Sequence, residues 1–272
     1  MMEDARGSMV TLSDGRSIHC VNTYEVPLGW HEISSDDLSA RGLTFPPGTY
    51  VDVGANIGLF CIRLRDLCPE ARIIAYEPMP AAFAALERNA ADLDGDIRVM
   101  QVALGAEPGS VTFEQYPALT CLSTANHAVG ERLADGIRSL LSQKGSSADI
   151  RAILDRTGAY DRMGDDGFLD HLLKSETISA TVDTLARQAE ALGIDRIELL
   201  KIDTEGNERA VLDGVGPLWP HIRQLIVEVH GGPDERDSIA RELRERGYRI
   251  SSDDHPMAEG AAPVFHLYAH RP

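Results

Sequence analysis

The segment Val51-Asp52-Val53-Gly54-Ala55-Asn56-Ile57-Gly58-Leu59-Phe60 passes from a short apolar run, through two glycines, into a helical pattern. Gly54 and Gly58 lack Cβ atoms, so backbone there can approach a ligand and a helix can start close against a sheet. Their spacing is G-x-x-x-G rather than the G-x-G-x-x-G of dinucleotide sites, and no Lys-Ser/Thr pair follows as in a phosphate loop. The turn therefore suits a ligand without phosphates that carries an ammonium and a carboxylate. Glu77 stands 23 positions after Gly54, at the end of the next strand pattern. An ionised carboxylate only accepts hydrogen bonds, so an acid at that strand tip matches the two hydroxyls of a ribose. Turn and acid together point to a nucleoside.

Two further groups close later strand patterns. KIDTEGNE, residues 201–208, places Asp203 and Glu205 after the fourth core strand, and VEVH ends the fifth at His230. Ligands on open α/β sheets bind beyond the carboxyl ends of strands, which predicts that Asp203 and His230 face the crevice shared by Gly54 and Glu77. Asp203 is expected to hold an ammonium or orient the second reactant, and a neutral His230 imidazole to take a proton from an attacking hydroxyl. The competing reading makes Asp203 or Glu205 a helix cap and His230 a structural residue. Asp203, Glu205, Glu228 and His230 offer oxygen and nitrogen ligands, but no dedicated ligand spacing joins them and no metal is expected. His31 and His127 are secondary candidates for an acceptor pocket.

These residues need a scaffold of alternating strands and helices. Strand patterns occupy 50–53, 72–76, 97–103, 196–202 and 224–229, with closing strands at 248–251 and 264–269. Helical patterns fall at 58–68, 78–93, 181–192, 208–214 and 233–246. Continuous apolar strands in such alternation imply a mostly parallel sheet covered on both faces. A hairpin is predicted over 8–24 around Ser13-Asp14-Gly15, and an extra strand over 110–114. Residues 125–175 lack strand patterns and read as a lid with helical pieces at 130–143 and 148–156. The expected organisation is a leader, 1–45, packed on a core domain, 46–272, that carries the insertion.

With 272 residues and 43% hydrophobic content, the chain can build one large α/β domain. Its 26 basic and 43 acidic residues leave a net charge of −17, which disfavours phosphate backbones and anionic membranes as partners. Four cysteines without C-x-x-C spacing read as reduced thiols. There is no secretory signal pattern and no apolar run long enough to span a bilayer. Together these features predict a cytoplasmic location.

The runs VDVGANIGLF, YEPMPAAFAALERNA, VALG, TVDTLARQ, ELLKIDTEGNERAVLDG and LIVEVH, in order over roughly residues 50–230, resemble the FkbM-type S-adenosylmethionine-dependent methyltransferases. The resemblance implies an α/β, Rossmann-like fold with a mostly parallel seven-stranded sheet, helices on both faces, and the N-terminal hairpin and residues 22–32 packed over the cofactor. It implies S-adenosyl-L-methionine as cofactor, S-adenosyl-L-homocysteine as product, and O-methylation of a hydroxyl on a secondary metabolite such as a polyketide or sugar. Asp52, Gly54, Asn56 and Gly58 are then expected to line the methionine end and Glu77 to hold the ribose. Ala103, in the VALG run, and Asp203 complete the expected cofactor site. His230, Asp203 and Glu205 are the expected catalytic residues. The expected partner is a hydroxylated small molecule, neither nucleic acid nor membrane, with a homodimer left open. N- or carboxyl-methylation and an inactive nucleoside-binding regulator are the competing readings. An NAD-dependent oxidoreductase is disfavoured by the glycine spacing.

Overall fold

A computed structural model of the chain describes residues 8–12, 14–142, 166–254 and 264–271. A hairpin, β1 (Ser8–Thr11) and β2 (Ser17–Cys20), precedes helix α1 (Glu25–Ser35). The core then alternates: β3 (Thr49–Val53), α2 (Leu59–Leu67), β4 (Arg72–Tyr76), α3 (Pro80–Ala91) and β5 (Ile97–Met100). A side unit follows, with β6 (Ala103–Leu104), β7 (Gly109–Gln115), α4 (His127–Ser142), α5 (Asp166–Leu172) and β8 (Glu176–Asp183). The core resumes with α6 (Leu185–Leu192), β9 (Leu199–Ile202), α7 (Glu208–Asp213), β10 (Gln224–Val229), α8 (Pro233–Glu245), β11 (Arg249–Asp254) and β12 (Phe265–His270).

Seven strands form the central sheet in the order β11-β12-β10-β9-β3-β4-β5. β5, β4, β3, β9 and β10 run parallel, and β12 lies antiparallel between β10 and β11. The chain thus starts at the centre, winds to one edge, returns across β3 to β9, and ends in a reversed strand. That return is a topological switch point, where an open α/β sheet leaves a crevice.

Both faces are sealed by apolar packing. Val51, Val53, Ile74, Leu200, Ile202 and Val227 pack with Leu185 and Ala189 of α6, Val211 and Leu212 of α7, and Ile239 and Leu243 of α8. Tyr50, Ala75, Leu199 and Ile226 face the other way, against Phe60, Cys61 and Leu64 of α2 and Leu86 of α3. This alternation is the period-two signature of strands buried on both sides. Among the described residues, no helix is long and apolar enough to cross a membrane.

Register sets the site. Val53 pairs with Tyr76 on one side and Ile202 on the other, and Ile202 pairs with Val227. One step further on, Gly54, Glu77, Asp203 and Glu228 leave four neighbouring strands at one level. Glu228 in turn pairs with His266 of β12.

Several boundaries differ from the sequence expectation. Residues 181–183 are the end of β8 rather than the start of a helix, because Glu176–Val182 pairs along β7 and Val182–Asp183 along β6 in a small three-stranded sheet, β6-β8-β7. Helix α6 begins only after Thr184, whose side chain accepts the Arg187 N–H at 3.2 Å. The strand expected over 97–103 stops at Met100, and Ala103 starts β6 in the other sheet. The leader contains a helix, α1, that the strand-helix pattern did not separate. The helical piece expected at 148–156 lies outside the described residues.

Candidate active site

A cavity of about 300 Å³ opens at the carboxyl ends of β3, β4 and β9. Tyr76, Met79, Val102, Leu104, Phe113 and Val182 form its apolar wall, while Glu77, Asp203 and Glu205 bring acids to it.

The floor is the glycine turn. Gly54 has φ +80, and a Cβ there would fall 1.7 Å from the Asp203 carbonyl oxygen, so only glycine lets β3 leave the sheet beside β9. Gly54 and Ala55 both donate their N–H groups to the Tyr76 carbonyl at 3.0 Å. Asn56 follows with φ 48, a left-handed conformation that asparagine tolerates. Glu205, across the cavity, has φ 51. These are the two non-glycine residues with positive φ among the described residues, and both line the cavity. Such strain concentrates at functional sites.

Glu77 is 6% exposed. Its Oε2 accepts the Asn56 N–H and its Oε1 the Met79 N–H, both at 2.8 Å. Burial pushes its carboxyl up to about 7, against the pull of those two donors. The free lone pairs, one on each oxygen, fit vicinal hydroxyls. A glycine cradle, an acid acceptor and an apolar slot together fit an adenosyl group.

A charged network lies beside this cavity. Lys201 Nζ sits 3.0 Å from Asp203 Oδ2 and 3.4 Å from Asp52 Oδ1, and lies over the Phe60 ring. Burial would lower the lysine, but Asp203 and Asp52 outweigh it and hold the ammonium above its usual range. Burial raises Asp203, helped by Glu228 and opposed by Lys201. Burial also raises Glu205, to about 7. Behind Glu205, His230 is 4% exposed. Its Nε2 lies 3.0 Å from Glu205 Oε2, and its Nδ1 lies 3.1 Å from Oε1 of the fully buried Glu208. Glu208 Oε1 also accepts the Gly206 N–H at 2.8 Å. Burial alone would depress His230, but Glu205 and Glu208 outweigh it and keep the imidazole well above its ordinary value. Glu208 is held low against burial by His230 and by the Gly206 N–H.

The roof comes from the leader and the side unit. Glu25 of α1 accepts the Cys121 N–H at 3.3 Å and lies 3.2 Å from Thr120 Oγ1, which is also 3.1 Å from Asn56 Oδ1. Tyr24 donates to the Ala118 carbonyl. Thr124 donates to the Glu205 carbonyl, Asn126 to the Gly206 carbonyl, and Arg132 of α4 to the His230 carbonyl.

Gly54, Asn56, Glu77, Ala103, Asp203 and Glu205 thus meet on one cavity wall. Asp52, Gly58 and His230 do not. Asp52 is fully buried and pairs with Lys201 and the Cys61 thiol, since as a strand residue two before Gly54 it points into the sheet face. Gly58, at φ +90, is the N-cap of α2 and packs on Leu86. His230 sits behind Glu205 rather than on the cavity wall, and its two carboxylate partners favour the protonated ring over the neutral base anticipated from sequence. His31 and His127 are absent from the cavity wall, and His127 pairs with Glu114 and Glu131 at the surface. Sequence reasoning assigned no role to Lys201, Glu208 or Glu25. The first two sit two residues before Asp203 and three after Glu205, inside a run already singled out. Glu25 had no local signal.

A sheet wound in this order, with a glycine turn after its first strand and an acid ending its second, defines a Rossmann-like methyltransferase. The chain belongs to the FkbM family, since the model of the methyltransferase FkbM domain matches residues 52–250. It is 33% identical over 253 residues to 31-O-demethyl-FK506 methyltransferase FkbM of Streptomyces tacrolimicus, covering 92% of each chain. It is 31% identical over 272 residues to AMB antimetabolite synthetase AmbE of Pseudomonas aeruginosa, covering 97% of this chain but only 12% of that far longer protein. Methyltransferase sdnD of Sordaria araneosa is 28% identical over 269 residues, covering 95% of each. The protein is therefore an S-adenosylmethionine-dependent methyltransferase.

Proposed function

We propose that the enzyme O-methylates a hydroxyl of a small-molecule secondary metabolite, with Glu205 receiving the hydroxyl proton. The relative from Streptomyces tacrolimicus, named for a 31-O-demethyl substrate, supports oxygen as the acceptor atom. The observation that carries the reading is Glu205, a cavity-wall carboxyl raised to about 7 and backed by His230 and Glu208. A general base works best when its pKa lies near the working pH.

When bound, the cofactor supplies a sulfonium methyl: the acceptor oxygen forms the new C–O bond, the C–S bond breaks, and its electron pair stays on sulfur. Glu77 takes the ribose hydroxyls, and the turn from Gly54 to Asn56 lies against the methionine end. Asp203 faces the ammonium or the acceptor, and Lys201 opposes the rise that burial gives its carboxyl. The leader and α4 act as a cover that excludes water. Residues 1–45 serve as that leader, 46–272 as the methyltransferase domain, and 125–175 as the lid insertion. Four free cysteines are in keeping with work in the cytoplasm.

The test is release of S-adenosylhomocysteine when purified protein meets S-adenosylmethionine and a panel of hydroxylated polyketides and sugars, with products read by mass spectrometry. Glu205→Gln should lower kcat by about a hundredfold or more and leave S-adenosylhomocysteine affinity within threefold. Methylation confined to amines or carboxyls would overturn the O-methyl reading, and undiminished turnover in Glu205→Gln would overturn the base.

A further inference from the structure

The inward stripe of α3 carries one amide among small and apolar residues. Ala82, Ala85, Leu86 and Asn89 are its buried positions, and Asn89 is 3% exposed. A side-chain amide is stable in such a stripe only when its hydrogen-bonding groups are met. Backbone from two segments outside α3 meets those of Asn89. Its Oδ1 accepts the His19 N–H at 2.8 Å, and its Nδ2 donates to the His19 carbonyl at 2.8 Å and to the Ile57 carbonyl at 2.7 Å. One planar group thus stands beside β2 as a neighbouring strand would, and its remaining hydrogen is fixed to the cofactor turn.

Both attachments have a physical reason. A lone two-stranded hairpin is marginal in water, and β1 and β2 form a sheet of their own. Ile57 lies between Asn56 at φ 48 and Gly58 at φ +90, so its carbonyl belongs to a turn that is left-handed on both sides. Backbone of that kind keeps its shape only where the surroundings over-determine it. Packing runs along the same line. Ile18 and Cys20 of β2 share one apolar cluster with Ile57 and Met79. Glu77 takes its two backbone donors from Asn56 and Met79. The hairpin therefore packs on the two short segments that aim Glu77.

We infer that Asn89 is a positioning residue for the cofactor: it latches the N-terminal hairpin to the glycine turn, so that hairpin seating and nucleoside binding favour each other. Such coupling is reciprocal. A seated hairpin keeps the Asn56 and Met79 N–H groups on Glu77, and a nucleoside held by Glu77 slows the opening of the hairpin in turn. The latch rests on the nucleoside lying against Glu77, and it holds whichever atom accepts the methyl group.

Full-length protein with S-adenosylhomocysteine provides the test, read by calorimetry and by hydrogen exchange over residues 8–20. In wild type the ligand should slow exchange in the hairpin as well as in the turn, 51–60. Asn89→Ala should weaken binding about tenfold, since three hydrogen bonds of modest net strength are lost, and the hairpin should no longer respond to ligand. A second variant cuts the latch from the other side should Asn89→Ala fail to fold. The His19 N–H goes to Asn89 rather than to β1, so His19→Pro leaves the hairpin ladder intact. Compared with His19→Ala, which keeps both backbone bonds, it should weaken binding by about threefold or more. Equal binding in those two His19 variants, binding by Asn89→Ala within about twofold of wild type, or a wild-type hairpin whose exchange ignores the ligand would overturn the latch and leave Asn89 a packing residue. Wild-type protein that bound no S-adenosylhomocysteine would overturn the cofactor site itself, and the latch with it.

Discussion

Glu77→Gln probes the cofactor site most directly. Each oxygen of Glu77 already accepts one backbone N–H at 2.8 Å, from Asn56 and from Met79. One lone pair per oxygen remains for a ribose hydroxyl. Glutamine keeps the shape, but its NH₂ end cannot accept, so one hydroxyl and one backbone N–H lose their acceptor. The two losses appear in different measurements. The hydroxyl bond to a charged acceptor contributes about 1.5–3 kcal/mol, which is about 10- to 150-fold in affinity. The orphaned N–H burdens free and bound protein alike, so its cost of about 1–3 kcal/mol falls on stability. At about 2–4 °C per kcal/mol for a chain of this size, Tm should drop by several degrees.

A pH signature accompanies the change. Burial raises Glu77 to about 7, and only the ionised form accepts from both hydroxyls. Binding therefore favours the carboxylate and releases a proton. Wild-type affinity for S-adenosylhomocysteine should fall about fivefold from pH 7 to pH 6 and level off above pH 8, by the logarithmic relation between protonation and free energy. Glutamine does not titrate, so the variant should lose that part of the slope. Calorimetry at pH 6, 7 and 8 on both proteins decides the matter. A variant that binds within threefold of wild type at pH 8, or keeps the full slope, would refute the role given to Glu77.

Other consequences are equally measurable. Gly54→Ala places a Cβ 1.7 Å from the Asp203 carbonyl oxygen at φ +80, and should lower stability by about 2–6 kcal/mol from strain and overpacking together; a thermal melt within 2 °C of wild type, on the same size scaling, would contradict this. Glu25→Ala cuts the roof loose from Thr120 and Cys121, so S-adenosylhomocysteine should leave about tenfold faster in stopped flow, given about 0.5–1.5 kcal/mol per hydrogen bond. An unchanged off-rate would show that the leader does not restrain the cofactor. Ile202→Ala, at a fully buried position between both neighbours of β9, should cost about 2–5 kcal/mol in urea unfolding. A loss below about 1 kcal/mol would mean that the core collapses around the gap.

The nucleoside end of the site was legible because its parts are local. Gly54 sits in a strand-turn-helix run, and Glu77 ends the next apolar strand. The central strands were likewise readable, since residues buried on both faces leave continuous apolar runs. Residues 181–183 read as helix because they adjoin a true one, and their strand partners, on β6 and β7, lie 71 to 79 positions earlier. Asp52 was expected at the methionine end from the family resemblance, which does not reveal that its side chain is buried against Lys201 and Cys61. The pull of carboxylates on His230 went unseen for a related reason. Its partners Glu205 and Glu208 come from another strand end, and only three-dimensional proximity shows that two carboxylates enclose the ring.

The single register level running from Glu77 to His266 has a consequence for how such an enzyme can change. Its two ends belong to different strands: Glu77 follows β4, and His266 lies on β12. Replacing side chains on β12 or around Glu32 of α1, which offers a donor atom within 4.8 Å of those of Glu228 and His266, can reshape what the protein accepts, while the nucleoside half keeps its geometry. Substrate range and cofactor use can therefore drift separately, and a library confined to Glu32, His266 and their neighbours is the place to look for altered products.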